Sequence, residues 1–300
     1  MKKNILILAC LSVVLVSCQK DEVTTPSDSV LKTMPGEELN ATAESASRLL
    51  YTKRVLIEEF VGTSYGDAPE VGRIINSFER NYPINTIIAA HHHNDIMEAP
   101  QTTQMVNNLT PNGVLAYPAT MFNRNPYNGC RFVGSSYFQA AFNQELSQTA
   151  TCGIAINSTI NKGVVTLNLR ESFGATVNSM CTITAYLVEN NVLMNSPAYY
   201  QSNNFNNNSK SVFYHKGNPM NEYLHQNVVR KFITPCMGIS ISQGCLKPGG
   251  TDQQTLSFQM PAEYNSNNCY IIAFISKFNG SVSDQVMNAQ IAKLGTSVSW

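Results

Sequence analysis

The chain has 300 residues, with 20 basic and 20 acidic side chains and a formal charge of zero. A neutral chain without a basic run gives no footing for nucleic acid, which calls for a basic patch. Charged residues make up 13%, well below the roughly 25% of an average protein, and Asn, Ser and Thr take their place, which suits a β-rich exported protein.

The first residues read in three parts. Lys2 and Lys3 supply positive charge, Ile5 to Val16 is apolar, and Leu15-Val16-Ser17-Cys18 matches a lipobox. The apolar run falls short of the roughly 20 residues of a membrane span and stands where an export signal stands. Residues 1–17 are therefore expected to be a cleaved signal peptide, with Cys18 acylated and the lipid as the membrane anchor. An ordinary signal peptide with an incidental Cys18 is the alternative. Gln19-Lys20-Asp21-Glu22 is similar to the lysine-acid signal that sends some lipoproteins to the outer face of the outer membrane; the competing reading is the solvated start of a linker. Residues 18–48 are rich in Ser, Thr, Pro and acids and nearly devoid of large apolar side chains, which predicts a disordered tether.

Residues 49–149 alternate strand and helix. Arg54 to Val61 reads as a strand. Pro69 stands at a helix start, with Asp67 and Glu70 near the positive end of its dipole. Val71, Ile74, Ile75 and Phe78 follow on one helical face, and Pro83 ends the helix. Ile84 to Ala90 is nearly all apolar, as a strand buried on both faces should be. Asn94 to Ala116 shows no clear pattern. Ala119 to Phe122 reads as a short strand, and Ser135 is the expected cap of a last helix that turns Phe138, Phe142 and Leu146 inward. This order implies a small sheet with parallel strands and helices against it.

Residues 150–300 contain no convincing helix. Cys152 to Ile160, Val164 to Leu169, Thr182 to Val188, Asn227 to Ile233, Thr255 to Met260, Cys269 to Ser276 and Val286 to Leu294 read as strands. Glu189-Asn190-Asn191, Pro248-Gly249-Gly250 and Asn279-Gly280 are turn signals between them, and Ser196 to Ser209 reads as a loop. Such spacing suggests an antiparallel β-sandwich. The fold class expected for the whole chain is α+β, with a boundary at 149/150 between two domains that have separate cores.

The segment VLIEEFVGTSYGDAPEVGRII, the Tyr117-Pro118-Ala119-Thr120 run followed by Asn123-Arg124, and the closing VMNAQIAKLG together resemble the outer-membrane-protein-28-related lipoprotein family. The resemblance runs from about Arg54 to Gly295. It implies a thioredoxin-like domain followed by an immunoglobulin-like sandwich. The usual family text at the first segment is close to EEFTGTWCGNCP. Laid on it, Ser64 replaces the tryptophan, Tyr65 the first cysteine and Ala68 the second, while Gly66 and Pro69 remain around Asp67. Thiol-disulfide exchange needs one thiolate to attack and a second thiol to resolve, so a turn without either is expected to carry no redox chemistry and the protein to be no enzyme. The resemblance also makes Glu59 the counterpart of a buried acid and Pro118 a cis-proline beside the turn. For Glu59 the competing reading is a solvated carboxylate, since one of Glu58 and Glu59 should point outward from a strand.

His91-His92-His93 is the one conspicuous chemical cluster. Alternation on a strand puts His91 and His93 on one side, with Asp95 and Glu98 close in sequence. Two imidazoles need further ligands, since structural zinc takes four and catalytic zinc typically three. A metal or haem at His91, His93 and Asp95 is therefore the alternative to a protein or glycan ligand with no cofactor at all; a polar strand end is the plainer reading. Cys236 and Cys245 flank a turn-like stretch and are candidates for a local disulfide, and at least one structural disulfide is expected. Cys181 and Cys269 lie in predicted strands and read as buried thiols. No GxSxG elbow, phosphate loop or HExxH occurs.

Overall fold

The computed structural model describes residues 51–110, 115–278 and 283–300. The expected signal peptide 1–17, the lipidated Cys18, the tether 18–48 and the Asn279-Gly280 turn lie outside the described residues. The described elements are β1 (Val55–Val61), α1 (Ala68–Asn81), β2 (Thr86–His92), α2 (Thr102–Leu109), β3 (Ala119–Phe122), α3 (Phe138–Leu146), β4 (Cys152–Asn161), β5 (Val164–Phe173), β6 (Met180–Glu189), β7 (Val228–Phe232), β8 (Ile239–Ser240), β9 (Thr251–Gln259), β10 (Cys269–Phe278), β11 (Ser283–Lys293) and β12 (Ser297–Val298). The described residues form a mixed α+β fold, mostly strands with three α-helices, and none of the described helices is long and apolar enough to cross a membrane.

Eight strands form one sheet in the order β11-β10-β6-β7-β2-β1-β3, with β8 also on β6; β12-β4-β5-β9 form a second sheet. β1 and β2 run parallel, joined by α1 as the usual crossover, and β3 runs antiparallel to β1. Alternation along each strand sorts the core into layers. On one face Leu56, Phe60, Ile87, Ala89, Tyr186 and Phe274 pack against Met105, Val106 and Leu109 of α2. On the other face Val55, Ile57 and Ile88 meet Ile75 and Phe78 of α1 and Phe138 and Phe142 of α3. Further along that face Ile183, Ala185, Leu187, Ile271 and Ala273 meet Ile154, Val165, Leu167 and Leu169 of the four-stranded sheet. The sandwich is therefore made by one sheet against half of another.

That architecture alters the expected domain arrangement. The 149/150 boundary marks the change from helix-bearing chain to strands, but the large sheet crosses it. Ala90 of β2 pairs in parallel with Val228 of β7, and the cluster around Leu56 and Tyr186 draws residues from both sides. The described residues form one compact unit. The clusters around Ile75 and around Leu167 each stay within one half, but the one around Leu56 and Tyr186 is shared, because the second half lends β6, β7, β10 and β11 to the first half's sheet.

Three local readings also change. α2 falls inside the unpatterned stretch; its eight residues carry apolar side chains only at Met105, Val106 and Leu109, too few for a visible period. Ser135 opens a short 3-10 turn, Ser135–Tyr137, instead of capping α3; α3 begins after Tyr137 with no side-chain cap bond. β2 runs to His92 because its last residues pair with Phe60 and Val61, so two histidines lie within the strand and not after it.

No disulfide joins the described cysteines: Cys130, Cys152, Cys181, Cys236, Cys245 and Cys269 are all free thiols. For Cys236 and Cys245 the reason is topological. Cys236 is buried in the layer beneath α2, whereas Cys245 packs on the sandwich layer across the sheet. Cys181 and Cys269 are buried, and burial raises their thiols to about 11 and about 12.

Candidate functional site

β1 ends at Val61 and the chain turns through Gly62 to Asp67 into α1. Tyr65 N–H donates to the Gly62 carbonyl at 3.1 Å, and Ala68 N–H to the Tyr65 carbonyl at 3.1 Å. A side chain at Gly62 would meet the His93 carbonyl at 2.6 Å and the Tyr65 ring at 2.9 Å, so only glycine lets the turn fold this tightly. Pro69 lies buried in the first turn of α1, and Glu70 stands beside it, bonded to Arg73. Ser64 and Asp67 are exposed; Ala68 is buried. Where the family text has its first cysteine, the Tyr65 ring stacks on Tyr117 at 4.9 Å, and Tyr117 stacks on His93 at 4.8 Å. The Tyr117–Pro118 peptide bond is cis.

The chain between β6 and β7 folds back over this turn. Ser202 N–H donates to the Thr63 carbonyl at 2.8 Å and Asn204 N–H to the Gly66 carbonyl at 3.0 Å. Gln201 is buried, its amide nitrogen 3.0–3.4 Å from the carbonyls of Gly62, Thr63 and Tyr65. Asn204 Nδ2 donates to Asp67 Oδ1 at 2.9 Å, and any side chain at Gly66 would collide with Asn204. The turn's carbonyls are thus satisfied from within the chain. In the sequence Ser196 to Ser209 reads only as a loop, because Asn and Gln side chains bonding backbone carry no period.

The paired glutamates part to opposite faces of β1, and both are buried. Glu58 meets Arg124. Arg124 Nε donates to Glu58 Oε2 at 2.6 Å, and Nη2 donates to Oε1 and to Tyr186 Oη, each at 2.9 Å. The Tyr186 hydroxyl lies 3.2 Å and His91 Nε2 3.3 Å from Glu58 Oε1. Burial opposes the charge on Glu58, but Arg124 and His91 outweigh it and hold the carboxyl well below its ordinary range. Arg124 was legible only as half of an Asn-Arg pair; nothing marked it as the partner of Glu58.

Glu59 faces α1. It is 6% exposed, its Oε1 has no hydrogen-bond partner, and burial raises it to about 8. The solvated reading of Glu59 fails because Tyr223 and α1 cover it: a point beside Gly72 is 3.6 Å from Tyr223 Oη and 3.7 Å from Glu59 Oε1. Glu59 lines a cavity of about 40 Å³ together with His92, Tyr223 and His225.

The histidine triplet is dispersed. His91 points into the layer beneath α2, against Phe60, Tyr186 and Glu58. His93 stacks on Tyr117 and lies 3.5 Å from Glu98. Asp95 pairs with His92 at 2.7 Å and also accepts the amides of Thr63 and Met97. The expected set of His91, His93 and Asp95 is not brought together, because β2 extends to His92 and buries His91. Among the described residues no three His, Cys, Asp or Glu side chains are grouped to hold a metal ion. The residue passed over, His92, meets His225, which 225 − 92 = 133 positions of separation kept out of any sequence motif.

Beside the covered turn an open groove of about 370 Å³ remains, lined by Val71, Ile74, Pro118, Val133, Phe138 and Phe205. Thr120 also lines it, and its buried hydroxyl has no partner.

The family model described as outer membrane protein Omp28 matches residues 108–298, more than half of the chain. No curated protein matches. Among solved structures, HBP35 of Porphyromonas gingivalis is similar at 17% identity and a TM-score of 0.64, over 81% of this chain and 76% of that one. A structural-genomics protein from Agrobacterium tumefaciens is similar at 8% identity and a TM-score of 0.52, over 83% of this chain and 97% of that one. A domain of the outer membrane lipoprotein Omp28 from P. gingivalis aligns at 10% identity over 49% of this chain and 89% of that domain, with a TM-score of only 0.29.

Proposed function

This chain belongs to the Omp28 family of outer membrane proteins, and from that premise we propose that it is a non-catalytic, lipid-anchored binding protein displayed on the cell surface. In this reading Cys18 carries the lipid. The β1-α1-β2 unit with β3 and α3 is a thioredoxin-like fold that has lost its thiols, and the strands after it form an immunoglobulin-like sandwich that shares its sheet.

One observation carries the proposal: the turn lacks both cysteines and is tied down by Gln201–Asn204, while the adjacent groove stays open. Six apolar side chains line the groove beside Asp67, Glu70 and Ser135. A peptide segment that offers an apolar side chain flanked by polar or basic ones matches this lining, which favours a protein partner over a glycan.

A photo-reactive amino acid at exposed Ser135, on the rim of the groove, tests this in intact cells, with exposed Thr159 on the far sheet as the control site. A discrete adduct from position 135 and none from 159 is expected, and a protease that cannot enter the cell should digest it. Equal labelling at both sites, or none at 135, would overturn partner binding in the groove. An adduct resistant to the protease until the outer membrane is opened would overturn surface display alone.

A further inference from the structure

The two histidines that meet in the Glu59 cavity carry a hydrogen-bond pattern that the binding proposal does not use. His92 Nδ1 lies 2.7 Å from a carboxylate oxygen of Asp95, which can only accept, so the proton sits on Nδ1 and the lone pair on Nε2. His225 Nε2 lies 2.9 Å from the Tyr199 carbonyl, another acceptor, so its lone pair is on Nδ1. One ring nitrogen given to a carboxylate or a backbone carbonyl, and the other left free, is the arrangement that orients metal-ligating histidines. Here both members of a pair have it.

Their spacing also fits. The ring centroids are 5.2 Å apart at an angle of 73°. Two imidazoles each about 2.1 Å from one ion at a tetrahedral angle place their ring centres about 5 Å apart. The cavity they share is about 40 Å³, above the 10–15 Å³ or so that one water needs. Its lining includes the buried, unpartnered Oε1 of Glu59 and no lysine or arginine.

We propose that His92 and His225 hold a divalent transition-metal cation of the zinc and copper class in this cavity, with water completing the coordination and Glu59 accepting a hydrogen bond from that water. Among the described residues no third protein ligand converges there, so water fills the places that a third or fourth side chain takes in ordinary zinc sites, and the ion is held more weakly than in those sites. Imidazole selects these metals over calcium or magnesium, which prefer oxygen. The cation also supplies what Glu59 lacks, a positive charge and a donor. The site joins β2 to the chain between β6 and β7, so an ion would fasten that covering segment to the sheet.

The test is a titration of the untagged full-length protein in detergent with Co²⁺, read by visible absorption, followed by competition with Zn²⁺. His215 is exposed, and a His215→Ala background removes it as a competing ligand. One saturable equivalent is expected, abolished by His92→Ala and by His225→Ala. Asp95→Asn, which keeps an acceptor but loses the charge behind His92, should weaken binding about 10- to 100-fold at unchanged stoichiometry. X-ray absorption at the zinc edge of the parent protein counts imidazole ligands without any variant, and two are expected. No saturable binding, binding that survives His92→Ala combined with His225→Ala in folded protein, or a zinc spectrum without two imidazoles would each overturn the site.

Discussion

Arg124→Met will cost the protein about 3–5 kcal/mol of stability, the range for removing one partner of a buried ion pair, read as a fall in the urea midpoint with an unchanged slope. The guanidinium is 1% exposed and Glu58 is 1% exposed, so neither water nor salt can take over the charge left behind. The loss comes chiefly from that stranded carboxylate, not from the missing bonds. Glu58→Gln on top of Arg124→Met should therefore recover part of it, since a neutral amide at 58 can still use the Tyr186 hydroxyl. Arg124→Lys should not rescue. Arg124 spans Glu58 with two nitrogens and Tyr186 with one, and its guanidinium lies 4.9 Å from the Phe274 ring centroid. A lysine offers a single point of charge and no planar fork. A double variant no more stable than Arg124→Met would show that the stranded charge is not the cause.

In the metal-free protein, stability will fall between pH 6.5 and 8 by up to roughly 4 kcal/mol, at about 1.4 kcal/mol per pH unit for each of two carboxyl groups. Burial raises Glu59 from 4.5 to about 8, and burial together with Asp252 raises Glu171 from 4.5 to about 8. Neither Glu171 oxygen has a hydrogen-bond partner, and Asp252 is its cross-strand neighbour. A carboxyl raised in the folded state holds a proton that the unfolded chain has released. Its stabilising contribution is complete below 4.5 and is lost as pH climbs to 8. Buried histidines work in the opposite sense at lower pH. Burial holds His225 down to about 4 and lowers His91 as well, so stability rises with pH up to their ordinary value of 6.5. Glu58, depressed by Arg124, likewise contributes above 4.5 and loses its contribution in acid. Only above 6.5 do Glu59 and Glu171 act unopposed. Urea midpoints at pH 6.5 and 8.5 should differ strongly for the parent and little for Glu59→Gln combined with Glu171→Gln, with the variant the more stable at 8.5. A parent midpoint that is flat or rising over this interval would contradict the assignment.

What the sequence disclosed and what it hid have physical causes. A strand buried on both faces announces itself as an apolar run, and β2 is legible on that ground; β4 and β5, covered on one face, show instead as an alternation of apolar and polar residues. The Asn-Arg pair and Pro118 marked the right loop. Pairings between distant segments leave no such trace. Nothing in the periodicity of Tyr186 or Phe274 tells that they complete the layer over Leu56, and so the sequence does not show that one large sheet crosses the 149/150 boundary. Glu58-Glu59 looks like one inward and one outward residue until Arg124 and Tyr223 cover both faces. The histidine triplet misled for a related reason. Alternation paired His91 with His93, but burial of β2 through His92 sent His91 into the core, leaving the middle residue to meet His225. The Asn-rich loop is the clearest case, because hydrogen bonding by Gln201 and Asn204 to the turn depends on position and not on pattern.

The most direct test of the account is an exchange assay: the purified protein mixed with a disulfide-bonded peptide and a thiol reductant, with turnover followed beside a buffer control. A turn with tyrosine and alanine in the cysteine positions, closed by Gln201–Asn204, predicts no rate above the control. Turnover above it that is lost on changing any of the six free cysteines to serine would contradict the assignment of this protein as a binding scaffold and place a thiol enzyme in its stead.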